Sequence, residues 1–109
     1  MVIPVQEVVE MITRGTTPTV RYTFTKVSVE NIQSAYLTIQ QGETVVTKTL
    51  ADADTGDGYI EWTLSQAETL SFHEGFIEVQ CKYKLTDGKV YASKVVVDEA
   101  WKILHDEVI

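Results

Sequence analysis

The alternation of hydrophobic and polar residues from residue 76 to residue 85 predicts a β-strand with one buried face and one exposed face. Successive side chains on a strand point to opposite sides, so the apolar set is expected to face a core. That set is Ile77, Val79, Cys81, Tyr83 and Leu85. A second run, residues 90–97, follows directly after Thr86-Asp87-Gly88-Lys89. Asp-Gly between two such runs favours a tight hairpin, because a type I′ turn needs positive φ at both central residues.

Similar alternation predicts five earlier strands, at residues 8–13, 19–25, 32–40, 44–50 and 59–64. The residues expected to point inward from three of these strands are Val20, Tyr22, Phe24, Ala35, Leu37, Ile39, Ile60, Trp62 and Leu64. Both faces of residues 44–50 carry apolar residues, so the pattern leaves the register of that strand open.

A short helical turn is predicted at residues 66–70. Ser65 and Glu68 have the spacing of a capping box, in which each side chain accepts a hydrogen bond from the backbone N–H of the other residue. Phe72, just after this turn, is expected to close one end of the core. About seven short strands with frequent turn signals predict an all-β fold, an immunoglobulin-like antiparallel β-sandwich spanning residues 1–97.

The pattern changes after residue 97, and residues 98–109 are predicted to be a separate apolar and acidic tail. Ala100, Trp101, Leu104 and Val108 have helical spacing, so the tail is expected to become helical if it docks on a surface. Large aromatic and aliphatic side chains are typical of interface hot spots. The candidate partner-binding residues are Trp101, Ile103, Leu104, Val108 and Ile109. Docking on another chain, docking on its own sandwich and disorder all remain open at this point.

Composition limits the function classes. The chain has 109 residues and 44% hydrophobic residues, enough for one domain with a single core. The net charge of −7 argues against nucleic acid as a partner and against anionic membrane surfaces. The N-terminus lacks the basic and long apolar stretches of a signal peptide, and no stretch is long enough to span a bilayer. Cytoplasmic synthesis is therefore expected.

No pattern of catalytic or metal-ligating residues appears, so neither an enzyme nor a bound cofactor is predicted. The loop at residues 52–58 resembles a calcium loop only superficially, since Gly56 occupies the fifth position, Asp57 the sixth and Thr63 the twelfth. His73 and His105 lack a second ligand at a regular spacing. The single cysteine is expected to be a core residue, and one cysteine cannot form an intrachain disulfide.

Three tyrosines leave an alternative function open. Tyr36, Tyr59 and Tyr91 are assigned to the outward sides of their strands. Exposed aromatic rings are suited to stacking on sugar rings, whereas cross-strand packing between tyrosines explains the same pattern. A carbohydrate- or surface-binding module, using these tyrosines or the loop at residues 52–58, is therefore the second hypothesis.

Four segments carry a resemblance to a known family. They are residues 11–24, with Ile12-Thr13-Arg14-Gly15-Thr16-Thr17-Pro18-Thr19, residues 35–42, residues 64–70 and the ending, residues 96–109. Over nearly the whole chain the sequence resembles small virion-associated proteins of phages and prophages of Gram-positive bacteria. That family resembles tail or baseplate components with an immunoglobulin-like sandwich, similar in style to N-terminal domains of upper baseplate proteins.

The resemblance implies a non-enzymatic structural module that acts through protein–protein contacts. Its partners would be copies of itself, forming a homo-oligomer, or neighbouring virion proteins, and its final location would be the virion. The resemblance brings no active-site residues, so none are assigned.

Overall fold

Two β-sheets form the protein. The computed structural model describes the backbone of residues 5–9, 12–25 and 27–109, and the side chains of residues 12–25 and 27–109. The elements are β1 (Val5–Val9), β2 (Ile12–Thr13), β3 (Thr19–Phe24), β4 (Ile32–Gln41), β5 (Thr44–Thr49), β6 (Asp54–Gly56), β7 (Tyr59–Thr63), α1 (Gln66–Leu70), β8 (Gly75–Leu85), β9 (Val90–Ala92) and β10 (Val96–Trp101). Short 3₁₀ turns cover Val29–Asn31 and Leu50–Asp52.

The smaller sheet has the strand order β1-β3-β7-β6, and the larger sheet has the order β2-β10-β8-β4-β5, with β9 also paired to β8. Described neighbours are antiparallel except β2 and β10, which run parallel. The predicted all-β, immunoglobulin-like sandwich is confirmed. Ten strands are described where seven were predicted. Residues 8–9 and 12–13 of the first predicted strand lie in different sheets, as parts of β1 and β2, the last predicted strand is divided between β9 and β10, and β6 lies in a predicted loop.

A single hydrophobic core lies between the sheets. The inward residues predicted for β3, β4, β7 and β8 are buried except Leu85, which is partly buried, and Phe72 is fully buried after α1, as predicted. Trp62 on the smaller sheet donates a hydrogen bond from Nε1 to the carbonyl oxygen of Thr49 on the larger sheet, at 2.9 Å. Its ring also meets Tyr22 edge to face, with centroids 6.2 Å apart. Trp62 therefore joins the two sheets by both packing and hydrogen bonding. In the first predicted strand, residues 8–13, the side chains of residues 8–11 lie outside the described part of the chain.

Strands β9 and β10 lie on the same edge of β8 and are separated by a bulge. Lys82 is paired with Ala92, and Val79 with Val96, so three residues of one strand oppose two residues of β8. Ser93 maintains the pairing inside this irregularity. Its backbone N–H donates to the Cys81 carbonyl at 2.8 Å, and its Oγ accepts from the Cys81 N–H at 2.9 Å. The bulge lets the predicted second hairpin run continue to Trp101.

The prediction of a helical tail is wrong. Residues 96–101 form β10, so the predicted boundary at residue 98 lies inside a strand, and residues 102–109 contain no helix. Ala100 explains the difference, because it is 1% exposed and is paired with Gly75 on one side and Ile12 on the other. These long-range pairings fix Ala100 in the larger sheet, and twelve residues have too little intrinsic helix stability to compete.

Candidate interaction site

The C-terminal tail, defined here as residues 102–109, lies against the end of the sandwich formed by α1 and the loop after β2. Immediately before its first residue, at the end of β10, the Arg14 N–H donates to the Trp101 carbonyl at 3.0 Å. At its end, the Gln66 side-chain amide binds the backbone of Ile109 twice: Nε2 donates to the Ile109 carbonyl at 2.9 Å, and the Ile109 N–H donates to Oε1 at 2.8 Å. The tail backbone is therefore held by its own chain at both ends.

Glycine at position 15 allows the tail to pass close to this loop. Gly15 has φ of +77°, and a Cβ built there would lie 3.3 Å from Leu70 Cδ2 and 4.0 Å from the His105 carbonyl oxygen. A side chain at this position would crowd Leu70 and strain the backbone. The glycine of the Arg14-Gly15 pair thus serves a local purpose in bringing loop, helix and tail together.

The surface beneath the tail is braced by several hydrogen bonds. Arg14 donates from Nε to the Phe72 carbonyl at 2.6 Å and from a terminal nitrogen to the Leu70 carbonyl at 3.2 Å. These carbonyls lie at and just beyond the end of α1, where helices leave acceptors without internal partners. Thr69, which is fully buried, donates from Oγ1 to the Thr16 carbonyl at 2.9 Å. The loop and the helix therefore form a stable support for the tail.

The start of α1 has the predicted capping box. Ser65 Oγ accepts from the Glu68 N–H at 3.1 Å, and the Glu68 carboxylate accepts from the Ser65 N–H at 2.7 Å. Lys48 on β5 forms an ion pair with the same carboxylate at 2.9 Å. Burial alone would raise the pKa of Glu68, but the Ser65 hydrogen bond and Lys48 together lower it below its ordinary value. Glu68 therefore remains charged and ties α1 to the larger sheet.

The apolar side chains of the tail point largely into solvent although its backbone is held in cis. Leu104 and Ile109 are each 91% exposed, Val108 is 61% exposed and Ile103 is partly buried. Trp101, at the end of β10, is 48% exposed. The structure thus brings the five candidate residues onto one segment at one end of the sandwich, with hydrophobic side chains available for contact.

The three predicted outward tyrosines do not form a common platform. Tyr36 lies exposed on the outer side of the larger sheet, whereas Tyr59 lies on the smaller sheet, with the Arg21 guanidinium 4.0 Å from its ring centre. The outward assignment of Tyr91 is wrong, because its ring stacks on the core residue Tyr83 with centroids 5.8 Å apart. A sugar ring therefore cannot stack on the three together.

The loop at residues 52–58 is structured by its own hydrogen bonds. The Asp52 carboxylate accepts from the Thr49 N–H at 2.9 Å, and this bond lowers the pKa of Asp52. Asp54–Gly56 forms the edge strand β6.

Within residues 12–25 and 27–109, no three His, Cys, Asp or Glu side chains are grouped so as to hold a metal ion. Cys81 is buried, as expected of a core residue.

One exposed surface was missed by the sequence reasoning. The outer face of the larger sheet presents Phe76 at 71% exposure and Val97 at 61%. The signal was available in the alternation itself, since Phe76 has the same parity as Glu78 and so must point away from the core. Val97 could be placed only once its pairing with Glu78 was known.

Comparison with known proteins yields a likeness in architecture. No protein-family model matches the chain, and no curated protein matches it. Among solved structures, murine CRIg is similar over 92% of this chain and 98% of its own, with a TM-score of 0.47 and 6% sequence identity. This likeness concerns architecture, and no partner or activity is transferred from it. In the described part of the chain, no helix is sufficiently long and apolar to cross a membrane.

Proposed function

We propose that this protein is a non-enzymatic structural module that joins other proteins through its C-terminal tail, as a component of a phage or prophage tail or baseplate. The observation that carries the interaction role is the tail itself: its backbone is anchored at Arg14 and Gln66 while Leu104, Val108 and Ile109 remain exposed. A segment held in one conformation loses less conformational entropy on binding than a flexible one. Exposed aliphatic groups then supply the apolar area that a partner can bury.

The phage assignment is supported by the resemblance of residues 11–24, 35–42, 64–70 and 96–109 to virion-associated proteins of Gram-positive phages. An immunoglobulin-like sandwich is an architecture typical of interaction modules, which agrees with this role. The proposed contact residues are Trp101, Ile103, Leu104, Val108 and Ile109, and the proposed partners are neighbouring virion proteins or further copies of this chain.

The test is incorporation into particles of the phage or prophage that encodes the chain. Mass spectrometry of purified particles should detect the protein, and Leu104→Ser combined with Ile109→Ser should remove it from them. Both side chains are almost fully exposed, so the variant should fold normally, as checked by circular dichroism.

The matched control is Asp106→Ser combined with Glu107→Ser, which changes exposed polar residues of the same tail. This control should still be incorporated. Particles that lack the wild-type chain, or that incorporate the Leu104 and Ile109 variant as well as the control, would contradict the proposal.

A carbohydrate- or surface-binding module is the second candidate. An open cleft of about 600 Å³ lies beside the loop at residues 52–58 and is lined in part by Glu30, Leu50 and Asp57. Such a cleft offers both apolar and carboxylate groups to a sugar. A glycan array, read with and without calcium, tests this alternative, and no binding under either condition would eliminate it.

A further inference from the structure

We infer that the outer face of the larger sheet binds a second copy of this chain, with the two β8 strands stacked face to face and running in opposite directions. This extends the proposed structural role and uses a surface other than the tail. The face is formed by the outward residues of β4, β5, β8, β9 and β10. Its central row, along β8, is Phe76, Glu78, Gln80, Lys82 and Lys84.

Apolar residues are exposed on this face to a degree unusual for a sheet surface in contact with water only. Beside Phe76 and Val97, Val90 is 52% exposed, Val95 is 48% exposed and Tyr36 is 46% exposed. Large exposed apolar patches that carry a few polar groups are characteristic of protein interaction sites. The face is therefore suited to burial against another surface.

The charges on this face are separated into two ends. Glu78 and Glu99 lie at the end near Phe76, since Glu99 is paired with Phe76 across the strands. Lys82 and Lys84 lie at the other end of β8, and all four charged residues are exposed. Within residues 12–25 and 27–109, the two ion pairs found are Arg21–Glu61 and Lys48–Glu68, so neither engages these charges.

This charge separation makes the face complementary to itself when two copies run antiparallel. Gln80 lies midway between Glu78 and Lys82, about 7 Å from each along the strand. A twofold axis that lies in the plane of the interface, perpendicular to the strands and level with Gln80, places Glu78 of each copy opposite Lys82 of the other. A parallel stacking would instead oppose like charges, which is unfavourable. The outward strand positions carry two acids, Glu78 and Glu99, and two lysines, Lys82 and Lys84, so these positions are balanced in charge.

The same axis also brings compatible residues of the neighbouring strands opposite one another. Thr38 is paired with Gln80, so it would meet its own copy at the centre. Val97 is level with Glu78 and Ala92 is level with Lys82, so these two small apolar residues would meet across the interface. Phe76 would meet Lys84, whose methylene chain can cover the ring while its ammonium group lies near the ring face.

The available area is sufficient for a stable dimer. Four adjacent strand positions, which are β5, β4, β8 and the edge shared by β9 and β10, at about 4.8 Å spacing, and eleven residues of β8 at about 3.4 Å give a face of roughly 19 by 37 Å. This is comparable to the about 800 Å² that each partner contributes to a standard interface. A closed twofold pair also covers the patch completely, without leaving a surface for further growth.

A charge exchange tests the inference. Analytical ultracentrifugation of the full chain should show a monomer–dimer equilibrium. Glu78→Lys and Lys82→Glu should each weaken it about tenfold or more, because each places two like-charged pairs in the symmetric contact. Combining the two substitutions restores opposite charges and should return the dissociation constant to within about threefold of wild type.

Asp54→Lys is the matched control, since Asp54 is an exposed acid on the edge of the smaller sheet and its reversal should leave dimerisation unchanged. A wild type that remains monomeric at about 1 mM, or a combined variant no stronger than the single variants, would overturn the inference.

A variant lacking residues 102–109 separates this inference from the proposed function. Its dimerisation should equal that of wild type if the sheet face is the contact. Dimerisation that is lost with the tail and insensitive to the Glu78 and Lys82 changes would assign self-association to the tail. That result would overturn the inference and leave the proposed function intact.

Discussion

The outer faces of the two sheets differ in how their charged and aromatic side chains are satisfied. On the smaller sheet, Arg21 forms an ion pair with Glu61 at 2.8 Å and lies 4.0 Å above the ring of Tyr59. On the larger sheet, Phe76 is mostly exposed, and Glu78 and Lys82 form none of the ion pairs found in the described part of the chain. Arg21, Glu61 and Tyr59 thus interact with one another on the smaller sheet, whereas the larger sheet presents groups that a second molecule can satisfy.

The difference arises from residue spacing. Arg21 and Glu61 are directly opposite on adjacent strands, so their side chains meet without bending. On the larger sheet, Glu78 is opposite Gln40 and Val97, and Lys82 is opposite Tyr36 and Ala92. No acid is directly across from a lysine there. Register therefore determines which charges are neutralised inside the chain and which remain available.

The largest expected effect on the free energy of unfolding comes from a substitution in the hydrophobic core, against which both sheets pack. Trp62→Ala should lower the free energy of unfolding by about 3–5 kcal/mol, because it empties a fully buried site and removes the hydrogen bond to Thr49. Chemical denaturation provides the measurement. Trp62→Phe, which keeps a ring but loses the hydrogen bond, should cost clearly less. Equal losses in the two variants would show that ring packing contributes little.

Two substitutions with smaller expected effects on stability compare the outer faces of the two sheets directly. Arg21→Ala should cost about 1 kcal/mol, since it removes an ion pair and a cation–π contact that are both partly exposed. Lys82→Ala should change the free energy of unfolding by no more than about 0.5 kcal/mol when measured at a concentration that keeps the chain monomeric. The two urea midpoints are to be compared in the same buffer. A Lys82 variant as destabilised as the Arg21 variant would show that Lys82 is engaged within the monomer.

The smallest effect concerns the end of the sandwich that supports the tail. Because the pKa of Glu68 is lowered in the folded state, its contribution is present above the ordinary glutamate pKa of about 4.3 and is lost as the pH falls further. The loss should stay below about 1 kcal/mol, since the ion pair with Lys48 is partly exposed and screened by solvent.

Thermal unfolding between pH 6 and pH 3, roughly spanning that range, is the measurement for Glu68. In Glu68→Gln the component of the pH dependence due to this residue should disappear. A variant with the same pH dependence as wild type would indicate that Glu68 does not contribute.

Much of the fold could be predicted because local patterns agree with it. Alternation identified the buried faces of β3, β4, β7 and β8, and the spacing of Ser65 and Glu68 identified α1. The direction of residues 98–101 could not be predicted locally, because helical spacing and strand alternation fit the same residues. The pairing of Ala100 with Ile12, far apart in sequence, decides between them.

The candidate site was only partly accessible from sequence for a similar reason. The apolar character of residues 101–109 was visible, but the attachment of Ile109 to Gln66 depends on two segments that meet only in the folded chain. Likewise, the separation of acids and lysines on the larger sheet depends on which residues of β8, β9 and β10 are neighbours. A bulge of one extra residue, at Ser93 and the residues after it, sets that register and has no clear sequence signature.

The most direct test of the contrast between the two faces is a dilution series of ¹⁵N-labelled protein followed by NMR chemical shifts. The contrast between the two faces predicts concentration-dependent shifts for β4, β5, β8, β9 and β10, centred on Gln80, with constant shifts for β3 and β7. Shifts that change equally on both sheets, or only on β3 and β7, would contradict it.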